Sequence, residues 1–358
     1  MYPEMIINLS KLESNLNFLV NLCHSKGLTC AMVTKVFCAD EKVVELVNNS
    51  KADMFADSRI INLRRIKTTK PKMLLRISAI SEINDVLAHS DISLQSEIAT
   101  INMLGEAAEG RAKKHKVVLM IDLGDLREGR FFENEEGILA VAKAVLKHKN
   151  LELYGVGTNL TCYGGILPDE KNLTVLANIA QMIRDKFSIE LPFVSGGNSS
   201  TLEFLKSGGV PKGITNLRLG ESFALGKDTA LCELMEGMYG DAITLNAELV
   251  EIQMKPSKPI GITGRNAFGE EVSIEDKGIM RRGILAIGRQ DTNTEGLEFV
   301  SNTAEKYISI VGASSDHLLV DLTNAELYNV GDTLRFTMDY GAVLRSFTSE
   351  YVSRKYIK

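Results

Sequence analysis

Cys30-Ala31-Met32-Val33-Thr34-Lys35 is an apolar run that ends on an amine, and Val36-Phe37-Cys38-Ala39-Asp40 carries the chain on into a helical pattern. Residues 30–35 read as a buried strand. Seven further runs rich in β-formers follow, at 53–58, 72–78, 92–96, 116–123, 151–160, 191–197 and 216–222. Stretches of helical period lie between them, at 40–50, 59–67, 81–89, 98–110, 135–148, 170–187 and 200–207, and an amphipathic stretch from Leu9 to Ser25 precedes the first strand. Eight strands alternating with helices predict an α/β chain folded as a (β/α)8 barrel. A doubly wound open sheet is the competing architecture, because periodicity carries no information about closure.

After about residue 228 the pattern changes. Runs at 242–254, 282–288, 307–312, 317–322 and 333–338 are strand-like, with turns such as Pro256-Ser257-Lys258-Pro259 and Gly331-Asp332 between them. A mostly antiparallel β domain is expected here. The expected organisation is a barrel over residues 1–228 and a β domain over 229–358, with the short strand Met5 to Asn8 open to pairing with either.

The 358 residues exceed what a single core usually organises, which agrees with two domains. A net charge of −5 with no dense Lys/Arg block gives no support to nucleic-acid binding. Cys23, Cys30, Cys38, Cys162 and Cys232 are odd in number and widely spaced, which argues against a disulfide framework or a structural zinc site. No apolar run reaches membrane-spanning length and Met1-Tyr2-Pro3-Glu4-Met5 has no secretory pattern, so a cytoplasmic location is expected.

In a barrel the carboxyl ends of all strands meet at one mouth, where active sites sit. The first strand brings Lys35 there, the second Asp57-Ser58-Arg59, and the fifth Asp122-Leu123-Gly124-Asp125-Leu126-Arg127-Glu128-Gly129. The sixth brings Thr158-Asn159, the seventh Ser195-Gly196-Gly197-Asn198-Ser199-Ser200, and the eighth Arg218-Leu219-Gly220-Glu221-Ser222. An amine held out of water at a strand end has a lone pair ready to attack a carbonyl. The small-residue turn at 195–200 offers backbone N–H groups and hydroxyls, as a phosphate cradle does, in the loops where barrels usually bind phosphate. Each feature has a plain alternative: a surface lysine that ends a strand, and a turn that only turns. Together, a lysine opposite a phosphate cradle suggests pyridoxal phosphate (PLP) held as a Schiff base.

The order of these motifs resembles the alanine-racemase-type (fold type III) PLP enzymes. Within that group, residues 117–129 and 194–200 look most like the ornithine racemases. The resemblance implies that Lys35 is the Schiff-base lysine and that Arg218 faces the pyridine nitrogen. It also implies that Arg127 approaches the cofactor phenolate and the substrate carboxylate. Asn159, Ser195, Gly197, Asn198, Ser199, Gly220, Glu221 and Tyr340 complete the cofactor set that it implies, and no metal is expected. A guanidinium at the pyridine nitrogen suits racemisation; an acidic residue there would suggest a decarboxylase of the same fold type, and Glu221 lies three residues on. Otherwise, Arg218 reads as a barrel-rim ion pair, and Arg127 as the partner of Asp122 or Asp125.

The same resemblance places Ala313-Ser314-Ser315-Asp316-His317 where substrate is contacted from a neighbouring subunit, and so implies a homodimer with shared active sites. Asp316 and Ser315 are then the candidate substrate contacts, Asp316 for a distal amine. The chain departs from the alanine racemases in one respect: it has no tyrosine in 261–269, where they carry their second base; Tyr239 and Tyr307 are the nearest. His317, Ser315 and Asp316 are the candidates, and His317 is of the type that exchanges protons near neutral pH. The expected activity is PLP-dependent racemisation of ornithine or a similar basic amino acid. The rivals are a basic amino-acid decarboxylase and a PLP carrier without turnover, although carriers resemble the barrel alone.

Overall fold

Thr29–Val33, Met54–Asp57, Lys72–Leu74, Ile92–Gln95, His115–Asp122, Leu151–Gly157, Phe193–Ser195 and Asn216–Leu219 pair in parallel, each with its neighbours. The fourth strand bonds to both the third and the fifth, and the eighth to both the first and the seventh, so the sheet closes into a barrel. The computed structural model describes residues 1–300 and 308–358. Alternate residues fill the interior: Ala31 and Val33, Met54 and Ala56, Ile92 and Leu94, Val118 and Met120 are all buried in one cluster. That alternation follows from the period of two along a strand.

Helices fall between the strands because their apolar residues recur at three and four. Glu170–Phe187 buries Leu173, Leu176, Ile179, Ala180 and Ile183. Its start is fixed by a capping box in which Asp169 Oδ1 accepts from the Asn172 N–H at 2.7 Å and Asn172 Oδ1 accepts from the Asp169 N–H at 3.0 Å. Asp40 caps Glu41–Asn49 with its side chain, accepting from the N–H groups of Lys42 and Val43.

Several strands are shorter than their apolar runs. The first stops at Val33, and Lys35 opens a 3-10 turn, Lys35–Phe37. Thr34 causes the departure: its N–H still reaches Ala56 O at 2.9 Å, while its own carbonyl turns to accept from the N–H of Phe37. The eighth stops at Leu219, because Glu221–Leu225 coils into a short helix closed by the Ala224 N–H on Gly220 O.

The chain divides into two compact units, one made of Leu9–Tyr239 and the other of Met1–Asn8 with Gly240–Lys358. The expected boundary at 228/229 falls before a segment with barrel-unit bonds: the N–H of Met235 reaches Gly226 O, and Asn15 Oδ1 accepts from the N–H of Tyr239. The second unit runs, in pairing order, Leu297–Phe299, Thr333–Met338, Ile243–Pro256, Ile279–Leu285, Leu318–Asp321 and Ser309–Ala313, each antiparallel to the next. Glu4–Asn8 lies antiparallel to Ile243–Pro256 and parallel to Ser353–Ile357. Helix Tyr340–Thr348, capped by Asp339, follows the Thr333–Met338 strand. Of the run expected at 307–312, Tyr307 lies outside the described residues. No helix among the described residues is long and apolar enough to cross a membrane.

Candidate active site

Arg218 organises the barrel mouth. Its side chain is 2% exposed, on a strand paired with both the first and the seventh. The guanidinium donates to Thr158 O at 2.6 Å, to Asn159 Oδ1 and to Ser195 Oγ. All three acceptors are neutral. Burial lowers the pKa of Arg218 to about 10, against the opposing pull of Glu128, and at neutral pH it stays charged.

Asn159 passes the contact on. Its Oδ1 accepts from Arg218 while its Nδ2 donates to Glu128 Oε1. Glu128 in turn receives Nε and Nη2 of Arg127 in a two-point pair. Burial pushes the Glu128 carboxyl up, but the hydrogen bond and charge of Arg127, with Asn159, outweigh it and hold it below its ordinary value. Arg127 therefore pairs with its sequence neighbour and with neither aspartate. Asp122 Oδ1 accepts from the N–H groups of Gly124 and Leu126. The fully buried Asp125 accepts from those of Tyr163, Gly164 and Ile166, and so ties the loop after the fifth strand to the loop after the sixth.

The first strand's end lies beside a buried carboxyl. Asp57 is fully buried, and burial pushes its carboxyl up; hydrogen bonds from the Arg59 N–H, Thr34 and Asn62, with the nearby charge of Lys35, pull it part of the way back. Thr34 Oγ1 donates to it at 2.8 Å.

The turn after the seventh strand gathers N–H groups and hydroxyls at one place. Gly197 has φ +110°, a conformation that side chains rarely adopt. Asn198 Oδ1 accepts from the Ser200 N–H at 2.8 Å, and Ser199 Oγ accepts from the N–H groups of Gly220 and Ser222 at the long distances of 3.4 and 3.3 Å. Ser200 Oγ is buried with no hydrogen-bond partner. An orphaned hydroxyl among loosely held N–H groups fits the phosphate of PLP. Ser195 sits apart from this opening: it is fully buried, donates to Asn216 Oδ1 at 2.7 Å and accepts from Arg218. It positions the guanidinium. Glu221 begins the short helix after Gly220, and the acceptors of Arg218 are Thr158, Asn159 and Ser195 instead.

The remaining expected residues stand on the other unit. Tyr340 is the first residue of its helix. Ser315, Asp316 and His317 belong to the turn between Ser309–Ala313 and Leu318–Asp321, closed by the Ser314 N–H on His317 O at 2.9 Å. His317 is thus an exposed turn residue and not a strand residue, as is its neighbour Asp316. No group of three or more metal-ligating side chains occurs among the described residues.

Residues 7–223 match the family described as alanine racemase, N-terminal domain. The chain is 46% identical over 357 residues to an ornithine racemase of Acetoanaerobium sticklandii, covering 99% of each. It is 33% identical over 358 residues to a lysine racemase of Thermotoga maritima, covering 99% of this chain and 98% of the other. An alanine racemase from Bartonella henselae with covalently bound pyridoxal phosphate has the same fold, at TM-score 0.73, 16% identity and 99% coverage of each chain.

Proposed function

The chain belongs to the alanine racemase N-terminal domain family, and on that footing we propose that it racemises ornithine with pyridoxal phosphate as cofactor. The observation that carries this reading is the buried, charged Arg218, held by neutral acceptors on the strand beside the one that leads to Lys35. When bound, PLP supplies the electron sink that makes the α-hydrogen of an amino acid acidic.

The chain's own residues do the rest. Lys35 would hold the cofactor through its amine, and the same amine is the group that would carry the α-proton on one face. Ser199, Ser200, Gly197, Asn198 and the Gly220 N–H would hold the phosphate, and the family resemblance adds Tyr340. Arg218 would face the pyridine nitrogen and disfavour its protonation, since two adjacent cations repel. That setting favours removal and return of the α-proton over side transamination. Arg127 holds the substrate carboxylate. His317, with Ser315 and Asp316 beside it, serves the opposite face, and Asp316 pairs with the distal ammonium of the side chain.

Because the family resemblance brings the 313–317 segment to a neighbour's site, the working form is a homodimer, and the location is cytoplasmic. The decarboxylase alternative is not favoured, since the buried side chain bonded to Thr158, Asn159 and Ser195 is the guanidinium of Arg218 and not the carboxylate of Glu221. The test is the product: chirality and amount of ornithine, lysine and alanine after incubation with PLP-loaded protein, with carbon dioxide measured alongside. Loss of optical activity in ornithine without gas release supports the reading; stoichiometric carbon dioxide overturns it.

A further inference from the structure

Two arginines at the barrel mouth share one carboxylate. Glu128 takes two N–H groups of Arg127 directly, and through Asn159 it is one side chain removed from Arg218. Thr158 O, Asn159 Oδ1 and Ser195 Oγ are neutral oxygens, so they satisfy donors of Arg218 without cancelling its charge. An unneutralised charge in a buried place is costly unless an anion stands near. We propose that Glu128 is the shared counter-ion of Arg127 and Arg218, a positioning residue that sets the charge of the cofactor pocket. The proposal rests on the PLP-racemase reading above.

The geometry makes Asn159 a directional link. Facing a carboxylate, its amide must present Nδ2; facing a guanidinium, it must present Oδ1. Glu128 and Arg218 therefore lock the same orientation from opposite sides. The charged and titratable groups around this link are Arg127, Arg218, Glu128 and Cys162, whose Sγ accepts from Asn198 Nδ2 at 3.2 Å. Arg127 and Arg218 carry two positive charges against one negative charge from Glu128. Removing that one makes the pocket more positive for every protonated group in it.

Glu128→Gln in the PLP-loaded enzyme keeps the shape and removes the charge. The visible absorption band should titrate at a midpoint about one pH unit lower, because a lost anion disfavours protonated, positive forms nearby. In the same variant kcat for ornithine should fall about tenfold or more, with the melting temperature near that of the parent. Glu128→Asp keeps the charge but shortens its reach across Arg127 and Asn159, so the midpoint should stay while kcat falls. Asn159→Ala should shift the midpoint in the same direction, and adding Glu128→Gln to it should shift it less than in the parent background.

An unmoved midpoint in Glu128→Gln overturns the proposal. So does an equal shift in Glu128→Asp, or loss of the folded state in both Glu128 variants, which would mark a purely structural residue. If the unmutated protein fails to bind PLP or to racemise ornithine, the functional reading itself falls. An active parent with indifferent Glu128 variants removes only the counter-ion.

Discussion

Two buried polar clusters in the barrel unit treat charge in opposite ways. At the mouth, Arg218 is buried and keeps its charge, because burial brings it only to about 10. At the opposite end of the fifth strand, His115 is equally buried, and burial with the nearby Lys113 brings it to about 4. Its Nε2 meets Ser93 Oγ at 2.9 Å, and Gln95 Nε2 reaches both Ser93 Oγ and Ser78 Oγ. His115 Nδ1 and Gln95 Oε1 have no hydrogen-bond partner. The same physical force, loss of water, acts on both cations. The difference lies in the starting value and in the acceptors: a guanidinium has several pH units in hand and oxygen acceptors arranged around it, whereas the imidazole does not. At neutral pH the mouth therefore keeps its buried charge and the wall around His115 carries none.

The largest break in that contrast is expected at Lys35. If the mouth holds PLP, borohydride should fix the cofactor to this lysine, and Lys35→Ala should abolish both the fixed adduct and racemisation. Fixation to another lysine would dissolve the constellation. Arg218→Glu comes next. Reversing the charge should slow racemisation by roughly 10² to 10⁴ and raise side transamination; unchanged partitioning between the two products would remove Arg218 from the cofactor.

His115 sharpens the other half. Its folded value lies below the unfolded one, so its neutral form contributes stability fully present above about pH 6.5 and lost as pH falls toward 4. The loss across that window is about 3 kcal/mol at most, readable as urea midpoints between pH 7 and 4. His115→Gln should flatten this dependence; an equally steep profile would assign it to other groups. The smallest effect concerns an anion that is not buried. Asp316→Asn should raise the KM for ornithine by about tenfold, the loss of a charge-assisted hydrogen bond, and leave alanine almost unaffected. Equal effects on both substrates would move the specificity anion elsewhere.

Much of this was legible in the chain. Alternation and apolar spacing located all eight barrel strands; Lys35 and Arg218 stood out among the residues at the strand ends, and the roles expected of them came from the family resemblance. Strand length was less legible: apolar character runs past Val33 and Leu219, but the turns at Thr34 and Gly220 end the pairing, and nothing in hydrophobicity encodes a turn of that kind. Glu128 stood inside the motif after the fifth strand without a role. Its importance depends on Asn159, 31 positions away, and on Arg218, 59 positions beyond that, and no local pattern reports such a meeting. The orphaned Ser200 hydroxyl is similar: it follows from packing alone.

The strand at residues 4–8 lies between residues 243–246 and residues 353–357 of the β unit. Synthesis delivers it before either neighbour exists, with the entire barrel unit made in between. The barrel is contiguous and can fold as it emerges; the β unit can close only when the final strand arrives, after nearly the whole length of the chain has been drawn together. Tyr340 and the 313–317 turn belong to that late-closing unit. The order of assembly thus lets the contiguous barrel form before the unit that carries Tyr340 and the 313–317 turn can close.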